Sequence, residues 1–473
     1  MISVATGLIF TLLVTRSTTP SEFGIWANIF DVNAYFVLLA AAIPFWSTRF
    51  VARNKEGSTK TGITANLIIG VLSTVLYLPL VPFITSALKI GPAFVILYFI
   101  VSAQIIESYL INQLEATLRT ERPQAVGYGL LIEEIIKITL AYTLMVRVLP
   151  QQPLIGAMVS LTVAILVQII YYLKLIHPSL KEKTQWNYVR EWLKGSIAYI
   201  YYSVGNQISA VTLIMLFVLG GQTARGDFEV ASTIATIIMY SSWLSFALYP
   251  RLLANKGHED VSASLNLVLM FAIPLTAGAM AIPDSLLTVL KSSYAEAAPV
   301  LFILAIDALI WTIYGFYTNV LFGIDKLDEK ATIPIRQLVK SHIFKVFTLS
   351  YVYSAITLPA VYYVLTYFKS GQAVQPALYV AAITMVAHLV LFLILYMLVR
   401  RMIKIIVPWM SIGKYIFAGT IMGCLLYLIP HPTRLATVLG TGVIGGILYL
   451  AIISAIDKKA RTLLKSVLHE IRH

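Results

Sequence analysis

Apolar residues run along this chain in blocks of about 20, parted by short polar connections. They do not alternate with polar residues as in a half-buried strand. A helix rises about 1.5 Å per residue, so a block of this length crosses a ~30 Å hydrocarbon core. Lipid offers the backbone no hydrogen bonds, and a continuous apolar run meets that demand as a helix. Barrel strands would be about half as long and would alternate. The pattern therefore predicts an all-α integral membrane protein. Candidate spans lie near 2–15, 24–46, 64–86, 92–114, 126–148, 153–176, 195–219, 228–250, 264–289, 298–322, 343–367, 376–399, 412–430 and 434–456, which makes about 14 transmembrane helices. The first run is short and no basic stretch precedes it, so a longer N-terminus fits better than a cleaved signal peptide.

Composition agrees: 59% of the 473 residues are hydrophobic, 12% are charged, and the mean hydropathy is +0.82. Soluble domains carry roughly twice that charged share. The net charge of +13 changes meaning once the spans are drawn. Connections after even-numbered spans, together with the tail, hold 27 of the 35 lysines and arginines. Connections after odd-numbered spans hold seven: Arg16, Lys89, Arg147, Arg225, Lys291, Lys369 and Arg434. Lys137 lies within a span. This asymmetry follows the positive-inside rule and predicts a multi-pass protein of the cell membrane with both termini cytoplasmic. The basic excess is thus topological and calls for no nucleic acid. The tail 457–473 reads as a basic amphipathic helix on the anionic inner leaflet, making membrane lipids a partner. The single cysteine, Cys424, lies in an apolar run, forms no internal disulfide and reads as a buried small hydrophobe.

The polar connection at 177–195 reads HPSLKEKTQWNYVREWLKG, a surface helix with Trp186, Tyr188 and Trp192 at the membrane interface. Motifs on either side of it echo one another. SEFGIWANI and GDFEVASTI pair Phe23 with Phe228; Arg49–Ala52 pairs with Arg251–Ala254, followed by RNKEG and NKG respectively. Six spans separate the copies, so the repeat is parallel and its axis lies along the membrane normal. The predicted organisation is a first lobe at 1–176, a cytoplasmic linker at 177–195, a second lobe at 196–399, two further helices at 400–456 and the tail at 457–473. Two such lobes rocking about a central cleft would be a transporter.

VTRSTTPSEFGIW, followed about 20 residues later by RFVARNKEG, resembles the N-terminal signature of oligosaccharide/polysaccharide (Wzx-type) flippases. These belong to the multidrug/oligosaccharidyl-lipid/polysaccharide exporter superfamily. The resemblance implies a V-shaped bundle that moves a polyprenyl phosphate- or pyrophosphate-linked oligosaccharide from the cytoplasmic to the outer leaflet by alternating access. It also implies coupling to Na⁺ or H⁺, no other cofactor, and glycan-assembly enzymes as partners. The lipid II branch carries further arginines inside its second and eighth helices; spans 24–46 and 228–250 carry none, which turns the expectation towards other glycan carriers.

Moving an anionic head group calls for cations, and arginine holds phosphate through two oxygens at once. Arg16 is the leading substrate contact, with an interface anchor as the plainer reading. Arg49 and Arg251, at repeat-related cytoplasmic ends, are entry candidates or ordinary positive-inside residues. Ionisable residues within spans point to a cleft or a partner. Asp31, beside Asn28 and Asn33, is a candidate for ion coupling, as are Glu107, Glu133 and Glu134. Glu133 and Lys137 stand four apart with the acid first, the favourable order for an ion pair; the sharper reading makes Lys137 a phosphate contact. Glu107, near Gln104 and Asn112, is either a helix–helix hydrogen bond or a cation or proton site. The second lobe offers Asp307 and His388, the latter read as a packing residue.

No Cys/His cluster has metal-ligand spacing, and neither a GxxxxGK[ST] loop nor a GxSxG elbow occurs. The chain is therefore read as a transporter and not an enzyme. A multidrug or small-cation antiporter of the same superfamily is the first rival. A membrane-embedded glycosyltransferase or polymerase is the second, disfavoured by short outer connections in which Asp284 and Glu296 stand far apart.

Overall fold

The computed structural model describes residues 2–245, 258–324, 341–368, 371–402, 407–458 and 460–462. Among them the secondary structure is entirely helical. The first helices are α1 (Ile2–Ser17), α2 (Pro20–Phe36), α3 (Ala42–Ala52), α4 (Ser58–Ala87), α5 (Pro92–Glu121), α6 (Pro123–Tyr142) and α7 (Pro153–Leu175). There follow the linker helix α8 (Trp186–Gly195), α9 (Ile197–Met215) and α10 (Gln222–Met239). The remainder are α11 (His258–Ala281), α12 (Pro283–Leu290), α13 (Ala298–Ile324), α14 (His342–Tyr367), α15 (Gln375–Met402), α16 (Trp409–Leu428) and α17 (Leu435–Ile456).

Ten helical stretches among the described residues are long and apolar enough to cross a membrane, and the protein is a multi-pass membrane protein. The other four expected spans each depart from a plain apolar helix. α1 has only 16 residues. α6 carries Glu133, Glu134 and Lys137 and runs into a π-helical turn at Thr143–Val148. The second span, expected as one helix over 24–46, is broken: α2 ends at Phe36 and α3 begins at Ala42. α10 tightens into a 3₁₀ turn at Tyr240–Ser245, beyond which the expected span leaves the described residues. A count of fourteen is accordingly not established.

The break between α2 and α3 has an identifiable cause. Pro44 has no N–H and cannot donate to the Ala40 carbonyl four residues back, so a regular helix fails there. Irregular backbone at membrane depth persists only where other groups satisfy it. Asn66 Nδ2 donates to Ala40 O at 3.0 Å and to Tyr109 O at 2.7 Å, and Tyr109 Oη donates to Phe36 O at 3.1 Å. α4 and α5 thus supply the bonds that α2 and α3 lack.

Packing divides the described chain into two compact units, one reaching to Gly226 and the other starting at Asp227. In the first, α5 is central and packs on α2, α3, α4, α6 and α7. In the second, α13 packs on α15, α11 packs on α13 and α16, and α17 packs on α16. The linker helix α8 belongs to the first unit and is fastened to it. Trp192 is wholly buried with Ile43, Trp46 and Phe50, so it is not the interfacial anchor the sequence suggested, and the half-buried Tyr188 packs beside it. Trp186 is exposed. Glu182 accepts a hydrogen bond from Gly57 N, Thr61 Oγ1 accepts one from Gln185 N at 2.8 Å, and Ser196 Oγ donates to Ala42 O at 2.6 Å. Cys424 is exposed on α16, against the buried position expected, because it lies off the face that α16 turns towards α11.

Candidate functional site

The signature at the start of α2 is first of all a helix start. Thr19 is the N-cap: its Oγ1 accepts from Glu22 N at 3.2 Å, and Glu22 Oε2 accepts from Thr19 N at 2.7 Å. This reciprocal capping box, with Pro20 at the first helical position, satisfies donors that a helix terminus leaves open. Gly24 allows contact with the start of α10. A Cβ there would collide with the Gln222 carbonyl oxygen, and one at Gly226 would collide with that of Pro20. Ser21 Oγ and Gln222 Oε1 meet at 2.8 Å.

Two turns beyond Gly24, Asp31 meets Arg225, and the pair is bidentate: Nε to Oδ2 at 2.8 Å and Nη2 to Oδ1 at 3.0 Å. Arg225 is 2% exposed. Asp31 is therefore ion-paired and not an isolated carboxylate. Nothing in the sequence marked Arg225, which reads as one of the few outer-loop cations; its partner stands 194 residues away. Asn28, on the same helix, accepts from Tyr98 Oη at 2.8 Å.

On α6, Lys137 Nζ lies 3.0 Å from Glu133 Oε1 and 2.9 Å from Glu134 Oε2, with all three side chains nearly buried. The expected pair forms and gains a second acid. Phe10 of α1 offers its ring to the same ammonium, 5.6 Å from the centroid. Two carboxylates around one cation leave the cluster acidic.

Glu107 is 5% exposed, and among the described residues its Oε2 has no hydrogen-bond partner. The two polar neighbours turn elsewhere. Gln104 Nε2 donates to Thr162 Oγ1 at 3.0 Å, and Asn112 Nδ2 donates to Ser108 O at 2.7 Å. Both lie on α5 with Glu107, and neither of these bonds goes to it.

Arg16 is exposed on the last turn of α1, where a cation also suits the helix dipole. Arg49 is half-buried on α3, its guanidinium 4.5 Å from the centroids of both Phe45 and Trp46. Arg251 lies outside the described residues.

In the second unit, His388 Nδ1 and Asp307 Oδ1 are 2.7 Å apart. The imidazole packs against Trp311 at 4.3 Å and is stacked on Tyr353 at 4.9 Å. His388 is thus packed, as expected, and is also joined to Asp307. Asp284 is paired with His431 at 2.8 Å, and no cluster of three or more acids, histidines or cysteines able to hold a metal occurs among the described residues.

No family model and no curated protein matches the chain. Solved structures do. An inward-facing multidrug resistance MATE family transporter of the MOP superfamily is similar with a TM-score of 0.65 at 14% identity, over 84% of this chain and 95% of that one. The lipid II flippase MurJ, in an inward closed conformation, is similar with a TM-score of 0.60 at 15% identity, over 97% and 100%. The fold is that of MOP superfamily transporters. A further member of that superfamily, from Pyrococcus furiosus, is similar with a TM-score of 0.54 at 13% identity, over 84% and 93%. Drug and lipid transporters share this fold, so substrate has to be argued from this chain's own residues.

Proposed function

We propose that the protein is a flippase that carries a polyprenyl phosphate- or pyrophosphate-linked oligosaccharide from the cytoplasmic to the outer leaflet of the cell membrane by alternating access. Both termini are cytoplasmic in this reading. Arg16 is the observation that supports it best. It is an exposed guanidinium on the last turn of α1, three residues before Thr19, the N-cap that opens α2. A phosphate head group crossing a low-dielectric layer needs such a contact.

Arg49 serves the entering head group through a cation already seated on two aromatic rings. Lys137 is held by two acids, so any phosphate must compete with them; this ranks it below Arg16. Glu107 becomes the leading coupling residue, ahead of Asp31, Glu133 and Glu134, all of which face cations. A bare carboxylate oxygen buried in a membrane protein is costly, and a transported proton or Na⁺ would relieve that cost.

The acid excess on α6, together with Glu107, favours the rival reading of a drug or cation antiporter. Liposomes loaded with a fluorescent lipid-linked oligosaccharide separate the two. Flippase activity predicts that the label becomes accessible to an external quencher, and that Arg16→Ala slows this by at least about tenfold, the loss of one charge-assisted contact of about 1.5–3 kcal/mol. Folded protein that moves no lipid carrier under an imposed ion gradient, yet exchanges an organic cation for H⁺ or Na⁺, would put the antiporter first.

A further inference from the structure

Within the second unit, α11, α13, α15 and α16 line an open cavity of about 560 Å³. Tyr317, Phe392 and Tyr396 form an aromatic wall, with ring centroids 5.6 to 6.0 Å apart. Ile273 and Ile416 line it from α11 and α16, and Val407 and Trp409 lie at one end. The volume would hold on the order of twenty waters at roughly 30 Å³ each, but a water needs two to four polar partners. This lining is almost all carbon, and the Thr276 hydroxyl is already donated to Ala272 O at 2.9 Å. An empty space of this size would forfeit dispersion contacts along every wall. The helices lining it are long and apolar enough to cross a membrane, so the fitting occupant is an apolar chain.

A charge lies in register with the cavity. Residues four apart share a helix face; Phe392, Tyr396 and Arg400 therefore lie in line on α15, with Arg400 one turn beyond the aromatic wall. Arg400 and the neighbouring Arg401 are exposed, and Trp409, exposed at the same end, is of the type that settles at a membrane–water interface.

We propose that this cavity is a binding site for one anionic bilayer phospholipid, with an acyl chain against Tyr317, Phe392 and Tyr396 and its phosphate at Arg400. The lipid fills the space between α16 and the helices α13 and α15 and is a structural component of the second unit. The site does not depend on the substrate proposed above.

Native mass spectrometry of the purified full chain tests it, with phosphatidylglycerol, phosphatidylcholine and a polyprenyl monophosphate as probes. Wild type is expected to retain one phosphatidylglycerol, bound about fivefold or more tighter than phosphatidylcholine, the size of one arginine's attraction near an anionic surface. Arg400→Gln, a surface change that leaves packing intact, is expected to bring that ratio close to one. Thr420→Phe, at the rim of the cavity, is expected to abolish retention of both phospholipids. Equal binding of the two by wild type, or retention unchanged by both substitutions, overturns the site. Polyprenyl phosphate outcompeting phosphatidylglycerol overturns the bilayer lipid as occupant and assigns the cavity to the tail of a carrier.

Discussion

Asp31 and Arg225 bury opposite charges on α2 and at the start of α10, in bidentate contact. Forming such a pair recovers little more than the desolvation of its members, whereas breaking it strands a charge at about 3–5 kcal/mol. Arg225→Ala or Asp31→Ala alone should therefore lower the thermal midpoint in detergent further than the two together. A double variant that melts below both singles would show the contact to be incidental. The same logic bears on the site residues: Asp31, Glu133 and Glu134 were legible in the sequence as costly intramembrane charges, but their partners were only partly so. Lys137 lies within one helical turn of its acids and could be paired from spacing. Arg225 could not, because no local rule relates residues 194 apart. Glu107 reads in the sequence as either a helix–helix hydrogen bond or an ion site, and the structure leaves its Oε2 without a hydrogen-bond partner among the described residues.

At the scale of elements, the break at 37–41 gathers most of the local chemistry of the first unit. Pro44 stops the helix, and Asn66 and Tyr109 repair the exposed carbonyls. Asn66→Leu should leave Ala40 O, in the break between α2 and α3, without its side-chain donor, costing about 1–3 kcal/mol. Hydrogen exchange at residues 38–43 should rise accordingly; unchanged protection there would deny Asn66 this role. The repeat also has an echo here. α2 and α10 start 202 residues apart, the spacing from Arg49 to Arg251, and each runs 17 or 18 residues before its helix is disturbed. Phe23 and Phe228, matched by motif, are 205 apart and so sit nearly one turn out of this register. The helix starts follow the Arg49–Arg251 spacing and not the Phe23–Phe228 match.

For the whole molecule, the charge asymmetry predicts that both termini lie on the cytoplasmic side. In a Cys424→Ser background, single cysteines at Ser3 and Ser466 should be labelled by an impermeant maleimide only after spheroplasts are lysed. Labelling of one terminus in intact spheroplasts would mean an odd number of crossings. The expected lobe boundaries can be set beside the packing, in which α9 and the first turn of α10 group with the first unit. The linker helix does the same, because Trp192 has a pocket to fill that the amphipathic pattern of α8 does not reveal.

Membrane residence, helical class and most span positions were determined by the sequence alone, because a bilayer demands about 20 consecutive apolar residues and forbids unsatisfied backbone. The candidate charges were legible for a related reason: a costly intramembrane charge has to be justified wherever it sits. Only the tertiary structure decided that the second span is broken, that Asp31 belongs to Arg225, that His388 belongs to Asp307, and that α8 is fastened to the first unit. Each of these depends on a partner far away in the chain. Hydrophobic periodicity records what a residue needs from its surroundings, and it does not say which distant side chain supplies it.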